Sequence, residues 1–235
     1  MKCLVLIPVF NEEKNLPSVI SEIRLSLPGY DIVIVNDGSF DQTLFVAATL
    51  GVDVISHPVN LGYGVAVQTG FMYAVKKNYD VVLLMDGDGQ HDARNGPALV
   101  SALRENHVDM VIGSRFMSKE PYKISLARKV GRTLFSSLIY CITKKSYSDI
   151  TSGFRAIDKQ AVVFLSQNYP VDFPDAEVFI SMLLHGFKIK EVPATFRQRM
   201  IGHSMFSFSK KMYYPFKGLL AIFIVLLRLA FKKEL

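Results

Sequence analysis

Short apolar runs and stretches of helical period alternate from the first residues of this chain, and each change of period marks out an element. Cys3 to Val9 is a continuous apolar run ending in Pro8-Val-Phe-Asn-Glu-Glu13, and the segment after it, to about Leu27, carries Leu16, Val19, Ile20 and Ile23 at helical spacing. A second strand is predicted from Asp31 to Asn36, closing on Asp37-Gly-Ser and followed by a helical stretch with Asp41 in its first turn. Val52 to Ser56 reads as a third strand, and the helix after Asn60-Leu-Gly-Tyr-Gly64 carries the small residues Ala66, Gly70 and Ala74. A fourth strand is predicted over Val81 to Met85, and a fifth over Val108 to Ile112 that ends at Gly113-Ser-Arg-Phe116. Val- and Ile-rich strands alternating with helices imply βαβ units, hence an α/β chain with a mostly parallel central sheet, flanking helices and a Rossmann-like first half.

The fourth strand ends in Asp86-Gly-Asp-Gly-Gln-His-Asp92, two carboxylates one residue apart with glycines between and after them. Open α/β sheets bind ligands outside the carboxyl ends of their strands. Two close carboxylates there suit a hard divalent cation that takes oxygen ligands and keeps room for substrate phosphates. An ordinary Asp/Gly turn has the same composition, so the context decides. Two other strands end in polar groups on the same edge, at Asn11/Glu12 and at Asp37. No GxGxxG follows the first strand and no GxxxxGK[ST] occurs, which removes the signatures of dinucleotide cofactors and P-loop hydrolysis. A metal at Asp86 and Asp88 is then the natural counter-charge for a diphosphate.

PVFNEE, NDGS, NLGYG, DGDGQH, GSR and SGFR, in this order, resemble a family 2 glycosyltransferase of GT-A fold, in the branch of dolichyl-phosphate mannose synthase and bacterial polyprenyl-phosphate glycosyltransferases. The resemblance covers about Lys2 to Phe206; Gln90-His91, Ser152-Gly-Phe-Arg155 and Arg199-xx-Gly202-x-Ser204 are closest to that branch. It implies that Pro8, Phe10, Glu12, Val35 and Asp37 hold the nucleotide, with Asp37 facing the base or ribose. It likewise implies a metal set of Asp86, Asp88 and Gln90 for Mg²⁺ or Mn²⁺, a backbone contact at Gly87, and phosphate contacts at Arg115 and Arg199. The branch usually has a Lys where this chain has Met205, and often an Asn in the segment where Arg132 stands.

Composition adds a membrane to this picture. Half of the 235 residues are hydrophobic and the net charge is +6, gathered towards the C-terminal half at Lys119, Lys123, Arg128, Lys129 and Arg132 and again from Arg197 to Lys217. No nucleic-acid recognition motif accompanies these cations, and anionic lipid is the better explanation. Gly218 to Phe231 is apolar on every face except Arg228. At 1.5 Å per residue it spans roughly 21 Å, short of the roughly 30 Å hydrocarbon core. The expected organisation is a glycosyltransferase domain over 1–206 and a juxtamembrane helix over 207–235 that seats in the membrane, with Tyr213 and Tyr214 as interfacial anchors. That helix also offers a contact for a second copy or a small membrane-protein partner. Two cysteines, Cys3 and Cys141, form no disulfide framework, and the expected location is the cytoplasmic face of the membrane.

A sugar leaves a UDP- or GDP-type donor through an oxocarbenium-like state, so catalysis must stabilise the departing diphosphate and aim the nucleophile at the anomeric carbon. A polyprenyl phosphate acceptor is already anionic and needs no general base; Arg115, Arg128, Arg132 and Arg155 would position it, and the resemblance implies inversion. Transfer to a saccharide hydroxyl would instead need a carboxylate base, for which Asp175 and Glu177 are the candidates. A non-catalytic nucleotide-sugar-binding scaffold is the third reading, and the intact Asp86, Asp88 and Gln90 argue against it.

Overall fold

A computed structural model of the protein describes residues 1–117, 126–170 and 176–198, with side chains described for all of these except 126–132, 134, 135 and 176. Seven strands form one sheet: β1 (Cys3–Val9), β2 (Asp31–Asn36), β3 (Asp53–Ser56), β4 (Val81–Leu84), β5 (Met110–Ser114), β6 (Arg155–Asp158) and β7 (Ile189–Pro193). Their order is β3-β2-β1-β4-β6-β5-β7. All neighbours are parallel except that β6 runs antiparallel to both β4 and β5. The mostly parallel α/β sheet expected from the alternation of periods is therefore present.

Helices cover both faces. The chain contributes α1 (Leu16–Ser26), α2 (Thr43–Thr49), α3 (Tyr63–Lys76), α4 (Gly96–Glu105), α5 (Leu126–Thr143), α6 (Lys159–Asn168) and α7 (Ala176–Leu184). Because strand side chains alternate between faces, Leu4, Leu6, Val33, Val35, Val82 and Leu84 enter the layer packed by α3, α6 and α7. Val5, Ile7, Ile32, Ile34, Val81 and Leu83 enter the layer packed by α1 and α4. Strands buried on both faces lose the alternation of polar and apolar residues, which is why β1 reads as an unbroken apolar run.

The close approach of α3 to β1 needs a helix position without a side chain. A Cβ on Gly70 would stand 2.0 Å from Leu6 Cδ1 and within 2.8 Å of Leu6 Cγ, and Leu6 is fully buried. Gly70→Ala is accordingly expected to destabilise the protein by about 1–3 kcal/mol through overpacking, despite the better helix propensity of alanine. Urea unfolding of the variant measures this, and equal or raised stability would show that α3 can lift off β1 at no cost.

Sequence and structure differ at the second half of the sheet. β5 begins two residues later than expected, at Met110, and runs to Ser114; β6 and β7 were not anticipated at all. β6 is four residues, Arg-Ala-Ile-Asp, directly joined to α6. β7 is an edge strand with mostly partly exposed positions and a terminal Pro193, a pattern weaker than that of a buried strand. Antiparallel β6 has one consequence for function: its first residue, Arg155, pairs with Leu84 at the end of β4 and with Ile112 in β5, so the Ser152–Arg155 loop arrives at the edge where β4 and β5 end. Residues 199–235, with Arg199, Met205 and the apolar tail, lie outside the described residues, as do 171–175 with Asp175. Among the described residues no helix is long and apolar enough to cross a membrane.

Candidate active site

The polar residues at the strand ends fall in a row along one edge, in the order that the sheet dictates: Asp37 after β2, Asn11 and Glu12 after β1, Asp86 and Asp88 after β4, Arg155 opening β6, and Arg115 after β5. The chain runs from β1 outward through β2 and β3 on one side, then crosses back by α3 to β4 on the other side of β1. That reversal opens a crevice of the kind in which open α/β sheets hold ligands.

At the β1–β2 end, Asp37 is nearly fully buried. Its Oδ1 accepts the Leu61 amide at 2.9 Å and its Oδ2 the Gly62 amide at 2.8 Å. His57 Nδ1 stands 2.8 Å from Oδ1, while its Nε2 is 3.0 Å from Thr69 Oγ1. The carboxylate thus fastens the Asn60–Gly62 loop to β2, and Gly38 lets that loop in: its φ is +65° and a Cβ there would lie 2.3 Å from the Val59 carbonyl carbon. Asn11 takes a left-handed φ of 57°, which Asn tolerates better than most residues. It accepts the Phe40 amide through Oδ1 and donates its own amide to Ser39. Buried Glu12 accepts Asn15 Nδ2 at 2.6 Å. Phe10 packs edge-on against Phe40. Pro8 and Val35 are buried partners in the β1–β2 ladder, so the side chain of Val35 belongs to the core layer beside Leu4 and Leu6.

The centre is built around Asp86. Tyr63, the first residue of α3, donates its hydroxyl to Asp86 Oδ1 at 3.1 Å. The backbone amide of Asp86 donates to His91 Nδ1 at 3.0 Å, and His91 Nε2 lies 3.5 Å from Asp86 Oδ2. Burial lowers the His91 pKa to about 4, so the ring is neutral and stacks on Phe154. Burial pushes the Tyr63 phenol well above its usual value, helped by the Asp86 charge, so it stays a donor. On the other side Gly153 leaves no room for a side chain: a Cβ there would be 2.9 Å from Asp86 Oδ2 and 3.2 Å from the Tyr63 hydroxyl. Gly87 is equally confined, with Val9 Cγ1 2.5 Å from a Cβ position. Asp88 Oδ1 accepts the Gln90 amide, and the Gln90 side chain donates to the Arg197 carbonyl at 3.3 Å.

Arg197 braces this turn from behind, with its guanidinium forked on Glu22 and 3.2 Å from Asp92. Hydrogen bonds from Arg94 hold the buried Asp92 carboxyl below its usual pKa. Among the described residues, no group of three or more His, Cys, Asp or Glu converges as a complete metal cage. The Asp86–Asp88 pair could instead supply hard oxygen donors to a divalent cation, which at nucleotide sites needs only one or two protein carboxylates; the donor set fits.

The cationic flank is organised by a carboxylate that sequence reasoning missed. Asp149 is fully buried and takes Arg115 in a fork, Nε at 2.8 Å and Nη2 at 2.6 Å, as well as the Arg115 backbone amide at 2.9 Å. Glu191 on β7 in turn accepts the amides of Ser148 and Asp149 at 2.7 and 2.6 Å. Arg115 is therefore held by two successive layers of charge. Arg155 is 2 % exposed and donates to the carbonyls of Ser152 and Ile150, with its guanidinium over the Phe179 ring. No carboxylate among the described residues forms an ion pair with Arg155. Arg128 and Arg132 lie on α5 with side chains outside the described set, and Glu177 stands in the first turn of α7. Tyr63, His57 and Asp149 carried a weak signal: Tyr63 and His57 flank the Asn-x-Gly loop, and Asp149 is an isolated acid four residues ahead of the Gly-Phe-Arg motif.

A Gly153→Ala substitution tests the crowding at Asp86. The added methyl must displace the carboxylate, and a misplacement near 1 Å costs about 10²-fold in rate, so turnover should fall far more than thermal stability. Unchanged turnover would show that Asp86 has room to spare.

A parallel-rich α/β sheet with paired carboxylates at its switch point, flanked by Asp37 and Glu12 on one side and by arginines on the other, defines a sugar-transfer enzyme of GT-A type. Residues 4–164 match the model of glycosyl transferase family 2, and the chain belongs to that family; it is a glycosyltransferase. It is 32% identical over 221 residues to undecaprenyl-phosphate mannosyltransferase of Micrococcus luteus, covering 88% of each chain. Identity to polyprenol monophosphomannose synthase of Mycolicibacterium smegmatis is 29% over 225 residues, 88% of this chain and 81% of that one. Among solved structures, glucosyl-3-phosphoglycerate synthase from Mycobacterium tuberculosis in complex with Mn²⁺ and UDP-glucose superimposes with a TM-score of 0.68 at 20% identity, over 94% of this chain and 77% of that chain; the likeness is one of fold.

Proposed function

We propose that the protein transfers a sugar from a nucleoside diphosphate donor to a polyprenyl phosphate, with inversion, at the cytoplasmic face of the membrane, for assembly of cell-surface glycans. The observation that carries this reading is the row of charges along the sheet edge: a nucleoside end at Asp37 and Glu12, carboxylates at Asp86 and Asp88, then two arginines, Arg155 and Arg115. A buried cation without a carboxylate partner is costly unless an anion completes it, and among the described residues Arg155 has no such partner beside the Asp86 turn. An acceptor phosphate meets that need where a neutral saccharide hydroxyl does not. The names of the Micrococcus and Mycolicibacterium relatives support the same acceptor class.

On this reading, Asp37, Glu12 and the loop from Asn60 to Gly62 seat the nucleoside, and Gly87 lets the backbone lie close to the sugar nucleotide. A divalent ion held by Asp86 and Asp88, with Gln90 in the same turn, supplies positive charge that offsets the developing charge on the diphosphate. Arg115, fixed by Asp149, and Arg155, together with Arg128 and Arg132, place the acceptor phosphate across from the donor, and Arg199 serves the sugar nucleotide. The acceptor oxygen is anionic at neutral pH, so no residue has to remove a proton. The apolar tail and its cations keep the enzyme against anionic lipid, where the acceptor resides. The test is incubation of the full chain with membranes, Mg²⁺ or Mn²⁺ and a panel of nucleotide sugars, followed by mass spectrometry of extracted lipids. A glycosylated polyprenyl phosphate is the expected product; sugar found only on saccharides or water would overturn the reading.

A further inference from the structure

One short segment touches both ends of the donor cleft. Leu61 and Gly62 give their amides to the two oxygens of Asp37, and the Asn60 side chain donates to the Asp37 carbonyl at 3.2 Å. The next residue, Tyr63, gives its hydroxyl to Asp86 Oδ1. The segment has little freedom to satisfy one end without the other. Gly62 holds a φ of +102°, and the Val59–Asn60 backbone is pressed against Gly38 with no space for a Cβ between them. Tyr63 is also locked as the first residue of α3, a helix that Gly70 clamps against β1.

Asp86 is flanked on three sides and about one third exposed. Tyr63 donates to one oxygen, His91 stands beside the other, and the backbone at Gly153 comes so near that a Cβ there would be 2.9 Å from Oδ2. Hydrogen bonds made by residues behind a metal-binding carboxylate set its orientation and basicity, and their removal typically costs 10–100-fold in metal affinity.

Resting on the nucleotide-sugar reading above, we propose that Tyr63 is a positioning residue for Asp86, and that the Asn60–Tyr63 strap couples the nucleoside end of the cleft to its diphosphate end. A nucleoside diphosphate that fixes the loop over Asp37 thereby fixes Tyr63 and orients Asp86 for the cation. Because such coupling is reciprocal, a divalent ion at Asp86 tightens nucleoside diphosphate binding beyond the direct attraction between metal and phosphate. The coupling would also delay assembly of the metal site until a donor is present.

Calorimetric titration of the full chain with UDP and with GDP, each with and without Mn²⁺, tests this, with Mn²⁺ electron paramagnetic resonance reporting the bound ion directly. In the wild type, Mn²⁺ should strengthen binding of one of the two diphosphates. Tyr63→Phe should leave the metal-free affinity within about twofold and reduce the Mn²⁺ enhancement by roughly 10- to 100-fold. In an Asp86→Asn background the same change should add nothing further, as expected for a residue that acts through Asp86. Gly62→Ala, which strains the strap while keeping both carboxylates and the phenol, should weaken metal-free binding and the Mn²⁺ enhancement together.

Full Mn²⁺ enhancement in Tyr63→Phe, or effects of Tyr63→Phe and Asp86→Asn that simply add, would overturn the positioning role while leaving the donor reading intact. Loss of only one of the two properties in Gly62→Ala would overturn the coupling. A wild-type protein that binds neither diphosphate under any condition would remove the donor reading and this inference with it.

Discussion

Asp88→Ala is expected to lower sugar transfer by at least about 10²-fold, the scale of losing one electrostatic contact to a developing charge, with little change in unfolding temperature. Asp88 stands on the turn after β4 rather than in either core layer. It accepts the Gln90 amide, a bond worth about 1 kcal/mol to stability. Transfer assays with the purified variant, and with wild type in EDTA, measure the effect. Full activity in either would remove the metal assignment.

Arg115→Ala should be severe in a second way. The substitution strips Asp149 of the fork at 2.8 and 2.6 Å and leaves a fully buried carboxylate with only the backbone amide of residue 115 and Thr151 as partners. Removing one member of a buried pair costs about 3–5 kcal/mol, and in a chain of this size each kcal/mol moves the melting temperature by about 2–4 °C. Thermal unfolding should record that drop. Activity, assayed well below the new midpoint, should fall steeply because a cation at the acceptor flank is gone. Glu177→Gln, in the first turn of α7, should cost only a moderate fraction of the rate. The reverse ranking, accompanied by a pH profile that demands an ionised carboxylate, would move the acceptor from phosphate to saccharide hydroxyl.

The two halves of the sheet were unequally legible in the sequence. β1, β2 and β4 are buried on both faces, so their burial prints directly as apolar runs, and the polar residues that end them stand out. β6 and β7 carry less information. Arg155 opens β6 although it is buried, and Lys190 and Glu191 interrupt β7. The same division applies to the site. Asp37, Asp86 and Asp88 are local features of strand ends. Asp149 acquires meaning only by folding onto Arg115, 34 residues away, and Tyr63 by meeting Asp86 across 23 residues. Such partners are set by topology, and no spacing rule announces them.

The seam between the two halves is the β4–β6 ladder, Val81 to Leu84 against Asp158 to Arg155. Its hydrogen bonds are made by backbone alone, so they place almost no demand on which side chains the second half carries. On the proposed reading, donor chemistry resides before the seam, in β1 to β4, and the acceptor arginines after it. On that reading, substitutions from β5 to β7 that spare the Gly153 and Arg197 contacts with the Asp86–Asp92 turn can accumulate with little effect on how the first half grips its nucleotide. A lineage built on this plan is free to exchange acceptors while its donor machinery stays in place.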